Sequence, residues 1–495
     1  MNIIFDFYST LAEIYLVISI SILLILGVLL STSIKWGFPL LNNISFLSLQ
    51  VLVFTLTLIF NIPTLTFFNW SYLSNSDFFS SNLKLLVIIF AIAWIFLSIS
   101  YVKYEKINSF EYWILILLSF LAILLVLQSY DLLSLYLTIE FQSLTFYILA
   151  SFKRTSEFST EAGLKYFILG AFSSTLLLFG LSMLYAITGL SNLGDFSKLF
   201  TGILIGNLFL VIGVLIGLAF VTVAFLFKLS AAPFHMWSPD VYEGSPTIIT
   251  AFFSVFPKLA IISLTLRFFI FSFYDFFPFW KNWFLLCTIF SILVGSFGAL
   301  IQQKWKRFIA YSSITHIGFI LIGILSGELI GIVNILFYLI VYVITIFGIF
   351  SFLTSLRVYK FSFHYQIRYL SDVSSLSKIN PALAFSISLI LFSMAGIPPL
   401  SGFFAKAFMI LTSLQNNFYG LALLAVVMSC VACFYYIRII KNIYFSESKK
   451  LLVISPVTKD NSLILSFSVL LILFLFVDID FILTFLTRMA LSFLN

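Results

Sequence analysis

Apolar runs separated by short polar stretches fill the chain from end to end. They fall at 12–31, 45–66, 84–102, 110–128, 132–151, 162–187, 203–228, 246–273, 280–301, 308–326, 329–356, 380–411, 417–440 and 462–491. Each is about twenty residues or more, enough for a helix to cross a hydrocarbon layer at 1.5 Å per residue. A transmembrane barrel would show alternating segments half that length. The pattern predicts an all-α polytopic membrane protein with about fourteen transmembrane helices. Two runs carry internal breaks. The seventh stops around Ser230 to Pro233, and the twelfth around Ala395 to Gly402, which includes Pro398 and Pro399. Proline removes a donor and frees a carbonyl, and a bilayer tolerates this only where protein lines a cavity.

Composition agrees: of 495 residues, 62% are hydrophobic and 9% charged, against about a quarter charged in a soluble domain. The net charge of +7 is therefore no sign of a nucleic-acid partner; it comes from topology-fixing loops. Lys35, Lys103, Lys106, Lys153, Arg154, Lys304, Lys306, Arg307, Arg357, Lys360, Arg368, Lys378, Lys441, Lys449 and Lys450 follow odd-numbered runs. These loops share one side, and both termini are expected on the other. The alternate loops carry little beyond Lys84, Lys198 and Lys281. The loop after the seventh run has the basic parity but holds Asp240 and Glu243. Cys430 and Cys433 form a C-x-x-C without a second pair, which reads as small helix residues rather than a redox or metal site. The pairs Gly202/Gly206, Gly213/Gly217 and Gly327/Gly331 have the spacing of close helix packing. The N-terminal stretch has no basic or Arg-rich leader, so an organellar protein of this kind is expected to be made inside the organelle.

A few charges sit inside the runs. Glu140 is in the fifth, Glu161 and Lys165 open the sixth, Lys228 ends the seventh, Lys258 follows Pro257 in the eighth, His316 is in the tenth, Lys406 in the twelfth and Arg438 near the end of the thirteenth. A charge at mid-bilayer costs about 3 kcal/mol or more, so it faces protein or water and marks a pathway by default. Glu161 and Lys165, four residues apart, read equally as an interfacial ion pair or as part of a proton path. His316 reads as a satisfied core histidine or a relay, and Arg438 as a snorkelling side chain. For Glu140, Lys228, Lys258 and Lys406 the chemistry on offer is protonation. A lysine beside a carboxylate keeps its proton, and separating the two releases it.

These positions also repeat. Lys228 and Lys406 are 178 positions apart, Glu140 and His316 176, and Lys258 and Arg438 180. Five runs separate each pair, an odd number, so the repeats are expected to be inverted in the membrane, as in transporters with interrupted helices. The expected organisation is an N-terminal three-helix segment (1–108), a first repeat (109–278), a second inverted repeat (279–450) and a last helix (451–495).

The stretches 158–174, 227–247, 306–318 and 395–406, which hold Glu161, Lys165, Lys228, His316, Lys406 and the proline breaks, together resemble the antiporter-like membrane subunits of respiratory complex I. The resemblance covers nearly the whole chain and is most similar to the subunit 2 branch, mitochondrial type. It implies two inverted five-helix repeats and broken helices 7 and 12. By motif it implies a proton pathway through Glu140, Lys228, Lys258, Lys406 and His316, with Glu161 and Lys165 on helix 6. It implies no redox cofactor in this chain, with NADH, FMN, iron–sulfur clusters and ubiquinone handled by partner subunits. The implied partners are the other membrane-arm subunits, sister antiporter-like subunits among them, and phospholipids such as cardiolipin. The implied location is the mitochondrial inner membrane.

The function expected on this basis is proton translocation within NADH:ubiquinone oxidoreductase, the isolated chain catalysing no redox reaction. In that scheme Glu140 tunes Lys228, Lys258 relays through the region of His316, and Lys406 exchanges with one side. The alternatives are a stand-alone or Mrp-type cation/proton antiporter, and a structural subunit of a chloroplast or hydrogenase-linked complex.

Overall fold

A computed structural model describes residues 2–31, 40–61, 67–105, 107, 109–200, 208–360, 363–446, 456–475 and 477–494. Lys35, Lys106, Lys449, Lys450 and the pair Gly202/Gly206 lie outside them. The chain begins with α1 (Asn2–Ser9), α2 (Leu11–Ser31) and α3 (Leu40–Asn61). An antiparallel hairpin, β1 (Phe67–Asn69) with β2 (Ser74–Ser76), leads into α4 (Phe78–Tyr104). Next come α5 (Glu111–Gln128), α6 (Leu132–Ala150), α7 (Glu157–Thr188), α8 (Leu193–Phe200), α9 (Leu208–Leu229) and α10 (Trp237–Gly244). α11 (Thr247–Thr265) continues as a π-helical stretch, Leu266–Ser272, and is followed by α12 (Phe277–Ile301), α13 (Trp305–Ser326) and α14 (Leu329–Ser355). A second hairpin, β3 (Arg357–Lys360) with β4 (Phe363–Gln366), precedes α15 (Leu376–Ile379), α16 (Pro381–Ala395), α17 (Ser401–Gln415), α18 (Tyr419–Tyr444), α19 (Lys459–Phe474) and α20 (Ile479–Leu494).

Among the described residues, twelve helices are long and apolar enough to cross a membrane, and α19 with α20 adds one bent pair. α16 is a shorter apolar helix, and α17 continues the run beyond Pro398 and Pro399. Each apolar run read from the sequence thus has its helix or broken pair, and the protein is an all-α polytopic membrane protein. Helix starts follow local chemistry. Asp77 accepts from the Ser80 N–H at 2.8 Å while the Ser80 hydroxyl accepts from the Asp77 N–H at 3.0 Å, a capping box that starts α4 six residues before the sequence run begins. At the start of α6 the Asp131 side chain accepts from the Leu133 N–H at 2.8 Å and the Ser134 hydroxyl accepts from the Asp131 N–H at 3.2 Å.

The helices group into two units. The first comprises Met1–Leu229, Phe256–Trp280 and Met489–Asn495; the second comprises Ser230–Val255 and Lys281–Arg488. In the first, α2 packs on α3 and α5, α5 on α6, α6 on α7, and α7 on α9. α7 and α9 meet through glycine. A Cβ on Gly180 would lie 2.8 Å from the Gly217 carbonyl oxygen, and one on Gly213 would lie 2.2 Å from Ile187. Gly213 and Gly217 are therefore internal packing residues. The π-helical stretch is tied down by Arg267, which donates to Asp77 at 2.8 and 3.1 Å and to the Leu127 carbonyl at 3.1 Å. In the second unit, α14 is packed by α13, α16, α17 and α19, and α10 lies on α13. Gly331 packs against Gly323, where a Cβ would meet the carbonyl oxygen at 2.6 Å. Gly327 is instead the C-cap of α13 at φ +64°, so it is not the packing partner that its spacing suggested.

Candidate functional site

In the first unit, Glu140 stands mid-way along α6 and Lys228 in the last turn of α9. Glu140 is half-buried. Ser143 donates to its Oε2 at 3.3 Å, while its Oε1 is buried with no hydrogen-bond partner among the described residues. Lys228 is partly exposed along its stem, but its Nζ is buried and has no hydrogen-bond partner among the described residues. Among the described residues no ion pair joins this amine to the Glu140 carboxylate. The first unit thus holds two groups of opposite charge, each with a buried polar atom that has no hydrogen-bond partner among the described residues. Tyr147 lies two turns further along the same face of α6, its hydroxyl buried and without a hydrogen-bond partner among the described residues. It fits because Gly170 on α7 has no Cβ, which would sit 2.1 Å from the tyrosine oxygen.

Glu161 and Lys165 form an ion pair at 2.8 Å on α7, with 60% and 44% of their side chains exposed. They share a face of the helix, as their spacing required. Lys258 is 2% exposed in α11, directly after Pro257. Proline leaves the carbonyl of Phe253 without its intrahelical donor. The Tyr242 hydroxyl donates to that carbonyl at 3.2 Å, and Tyr342 donates to the neighbouring Ser254 carbonyl at 3.1 Å.

The seventh run breaks directly after α9. Ser230 has φ +61° and a buried hydroxyl with no hydrogen-bond partner among the described residues. The bonds before Pro233 and Pro399 are both cis. The twelfth run breaks between α16 and α17, where Gly396 caps α16 at φ +85°. The lysines sit differently about the two breaks: Lys228 precedes its break, whereas Lys406 follows its own by one turn of α17. Lys406, 7% exposed, reaches back to the freed C-terminal carbonyls of α16, donating to Met394 at 2.6 Å and Ala395 at 3.0 Å. Unpaired carbonyls and the negative end of the helix dipole make such a terminus a cation site. The Phe319 ring centroid is 5.7 Å from the same nitrogen.

His316 Nδ1 is 2.7 Å from the Tyr338 hydroxyl. His316 and Lys406 together line two cavities of about 10 Å³ each, one bounded also by Tyr435 and Tyr436, the other by Tyr338 and Tyr342. Each is close to the smallest volume that holds one water. The second unit therefore brings together Lys406, His316 and a set of buried tyrosines.

The acidic loop read as anomalous is answered by the basic one. Arg307 donates to Asp240 at 2.6 Å and pairs with Glu243 at 2.9 Å, Lys304 also pairs with Glu243, and Lys306 donates to the Ser245 carbonyl at 2.6 Å. These contacts fasten α10 to the start of α13. Among the described residues, no group of three or more His, Cys, Asp or Glu is placed to hold a metal ion.

A family model for the transmembrane segment of NADH:quinone oxidoreductases and Mrp antiporters matches residues 129–432, which contain all of these lysines and both breaks. The chain belongs to that family. NADH-ubiquinone oxidoreductase chain 2 of Marchantia polymorpha is 44% identical over 95% of this chain and 95% of its own length. A chain of respiratory complex I from Thermus thermophilus superposes with a TM-score of 0.79 at 25% identity, covering 96% of this chain and 98% of that one. A chain of the Mrp complex from Dietzia has a TM-score of 0.80 at 20% identity over 99% and 98%, a likeness of fold. The family is the one whose motifs the sequence resembles.

The sequence reading missed two buried pairs in this family member. Lys84, taken for a loop charge, lies inside α4 at 5% exposure and donates to Glu13 at 2.5 Å and Gln128 at 2.6 Å. The Asp77 capping box draws it into the helix, and Asp77-x-x-Ser80 was the signal available. Arg267, paired with Asp77, was hidden at the end of an apolar run. Arg438 is exposed on α18, as a snorkelling side chain would be.

Proposed function

We propose that this chain is a proton-translocating core subunit of the membrane arm of NADH:ubiquinone oxidoreductase, a multi-pass protein of the mitochondrial inner membrane. The observation that carries the reading is the pair of buried lysines beside broken helices in a chain 44% identical to a chain 2 subunit. NADH oxidation, FMN, iron–sulfur clusters and ubiquinone belong to partner subunits, and this chain supplies the proton path. Its partners are the other membrane-arm subunits, with phospholipids such as cardiolipin on its exposed apolar faces. Both termini lie on the intermembrane-space side in this reading, which the parity of the basic loops supports.

Within the first unit, Lys228 and Glu140 act as a carrier with two states. When drawn together they hold a proton as an ammonium–carboxylate pair; when parted, as here, the lysine gives its proton up. Within the second unit, the Met394 and Ala395 carbonyls accept from protonated Lys406. Water in the adjoining cavities and the His316–Tyr338 hydrogen bond provide the next station. Lys258 and the Glu161–Lys165 pair are further stations of the path. Electron transfer elsewhere in the complex drives the alternation.

The test is NADH-driven proton uptake by the reconstituted complex carrying Lys406→Met. Loss of pumping at retained assembly supports the reading. Sodium or potassium exchange by the chain reconstituted alone would instead place it with stand-alone antiporters.

A further inference from the structure

From Glu140 a polar stripe runs along α6 to its C-terminal end. Ser143, Tyr147 and Ser151 follow it at steps of three, four and four residues. At 100° per residue the four positions fall within an arc of about 80°, so they form one line on one face. The line is about 16 Å long at 1.5 Å per residue. It ends beside Lys153 and Arg154, on the side of the basic loops, the matrix side in the proposed orientation.

The members of the line carry hydroxyls or a carboxylate. The Ser143 hydroxyl already donates to Glu140 Oε2 at 3.3 Å. Tyr147 is 7% exposed, and its hydroxyl is buried with no hydrogen-bond partner among the described residues. A buried hydroxyl without a partner is costly, and a phenylalanine would fill the same space without that cost. The oxygen of Tyr147 therefore calls for a role beyond packing.

One face of α7 closes over the line. A Cβ on Gly163 would lie 2.5 Å from the Ser151 Cβ, and one on Gly170 would lie 2.1 Å from the Tyr147 oxygen. Between these glycines the Tyr166 ring meets Tyr147 edge-on at 4.9 Å. Gly170 is seven residues beyond Gly163, so the Tyr147 hydroxyl stands about 10 Å inside the seam from Ser151, near the level of Ser143.

At its outer end the seam opens. A cavity of about 800 Å³ lies between the ends of α4 and α6 and the starts of α5 and α7, and Ser151 lines it together with Glu105, Lys153 and Thr160. It has room for about 25 waters at roughly 30 Å³ each. Its wall is charged, with Lys153 paired to Glu105 at 2.6 Å. A polar vestibule thus meets the stripe at Ser151, and the Tyr147 ring fills the seam between the vestibule and Ser143.

We propose that the first unit takes its proton from the matrix side along this α6–α7 seam, with Tyr147 relaying it from the vestibule to Glu140. The proposal rests on the reading of Glu140 as a proton station. Water entering beside the ring reaches the Tyr147 oxygen. A hydronium there gives up one proton and becomes water, as the Tyr147 O–H proton passes to Ser143 and the Ser143 proton to the Glu140 carboxylate. One proton enters, one arrives, and each hydroxyl keeps one hydrogen.

The test is NADH-driven proton translocation by the assembled complex in liposomes, with its matrix face outward. Tyr147→Phe keeps the ring and its packing, so thermal stability should not fall while translocation drops about fivefold. Thr160→Cys places a thiol in the vestibule, outside the relay. A bulky, membrane-impermeant thiol reagent added outside should lower translocation by this variant at least about fivefold relative to wild type treated alike. Full translocation by Tyr147→Phe overturns the proposal, as does a Thr160→Cys complex that is labelled and still pumps at the wild-type rate. If Glu140→Gln stops pumping in the same assay, either result overturns the entrance alone; if Glu140→Gln pumps at the wild-type rate, the proton station itself is overturned.

Discussion

The amine of Lys406 lies 2.6 Å from the carbonyl oxygen of Met394, so the break in the twelfth run serves as the lysine's own ligand. Gly396 makes this possible. Its φ of +85° turns the chain out of α16, and a Cβ there would stand 3.0 Å from the lysine Cδ. Gly396→Ala is expected to cost about 1–2 kcal/mol in backbone strain and to displace Lys406. Thermal inactivation of the complex should come earlier, and proton pumping should fall severalfold while the subunit still assembles.

Arg307 holds both carboxylates of α10, with side chains between a fifth and two-fifths exposed. Exposed pairs contribute at most about 1 kcal/mol each, so Arg307→Ala should leave assembly nearly intact. The looser α10 should show instead as increased proteolysis between α10 and α11, and the difference from wild type should shrink at high salt. Limited proteolysis at two ionic strengths checks this.

Arg267 and Asp77 behave oppositely because both are buried. Removing one partner leaves an uncompensated buried charge, a cost of about 3–5 kcal/mol. Arg267→Met should therefore reduce the assembled complex on native gels to a small fraction of wild type.

Gly180 meets the backbone of Gly217 across the α7–α9 contact. Gly180→Val pushes these helices apart at an overpacking cost of about 1–3 kcal/mol. Lower thermal stability is expected, whereas Gly420→Ala, at a site with open space, should be silent.

The fold was legible because a bilayer forces long apolar runs, and Pro233, Pro398 and Pro399 mark the breaks in plain sequence. The candidate lysines were legible for the same reason, since Lys228 and Lys406 interrupt runs that otherwise hold no charge and Lys258 shares its run only with Arg267. Glu13, Lys84, Asp77 and Arg267 stand at the edges of runs, where a charge looks like a loop residue. Only helix starts and tertiary pairing bury them. Periodicity also placed Lys228 and Lys406 as equivalents, and it could not tell that one precedes its break while the other follows. The partner of Lys406 is backbone, which leaves no mark in side-chain identity.

The central claim is that Glu140 and Lys228, apart in this structure, form the switch of the first unit. The direct measurement is NADH-driven proton translocation by the assembled complex in liposomes, comparing wild type with Glu140→Gln and Lys228→Met. Each substitution is expected to lower translocation at least about tenfold, while native gels show the complex assembled. Translocation at the wild-type level in both would contradict the switch.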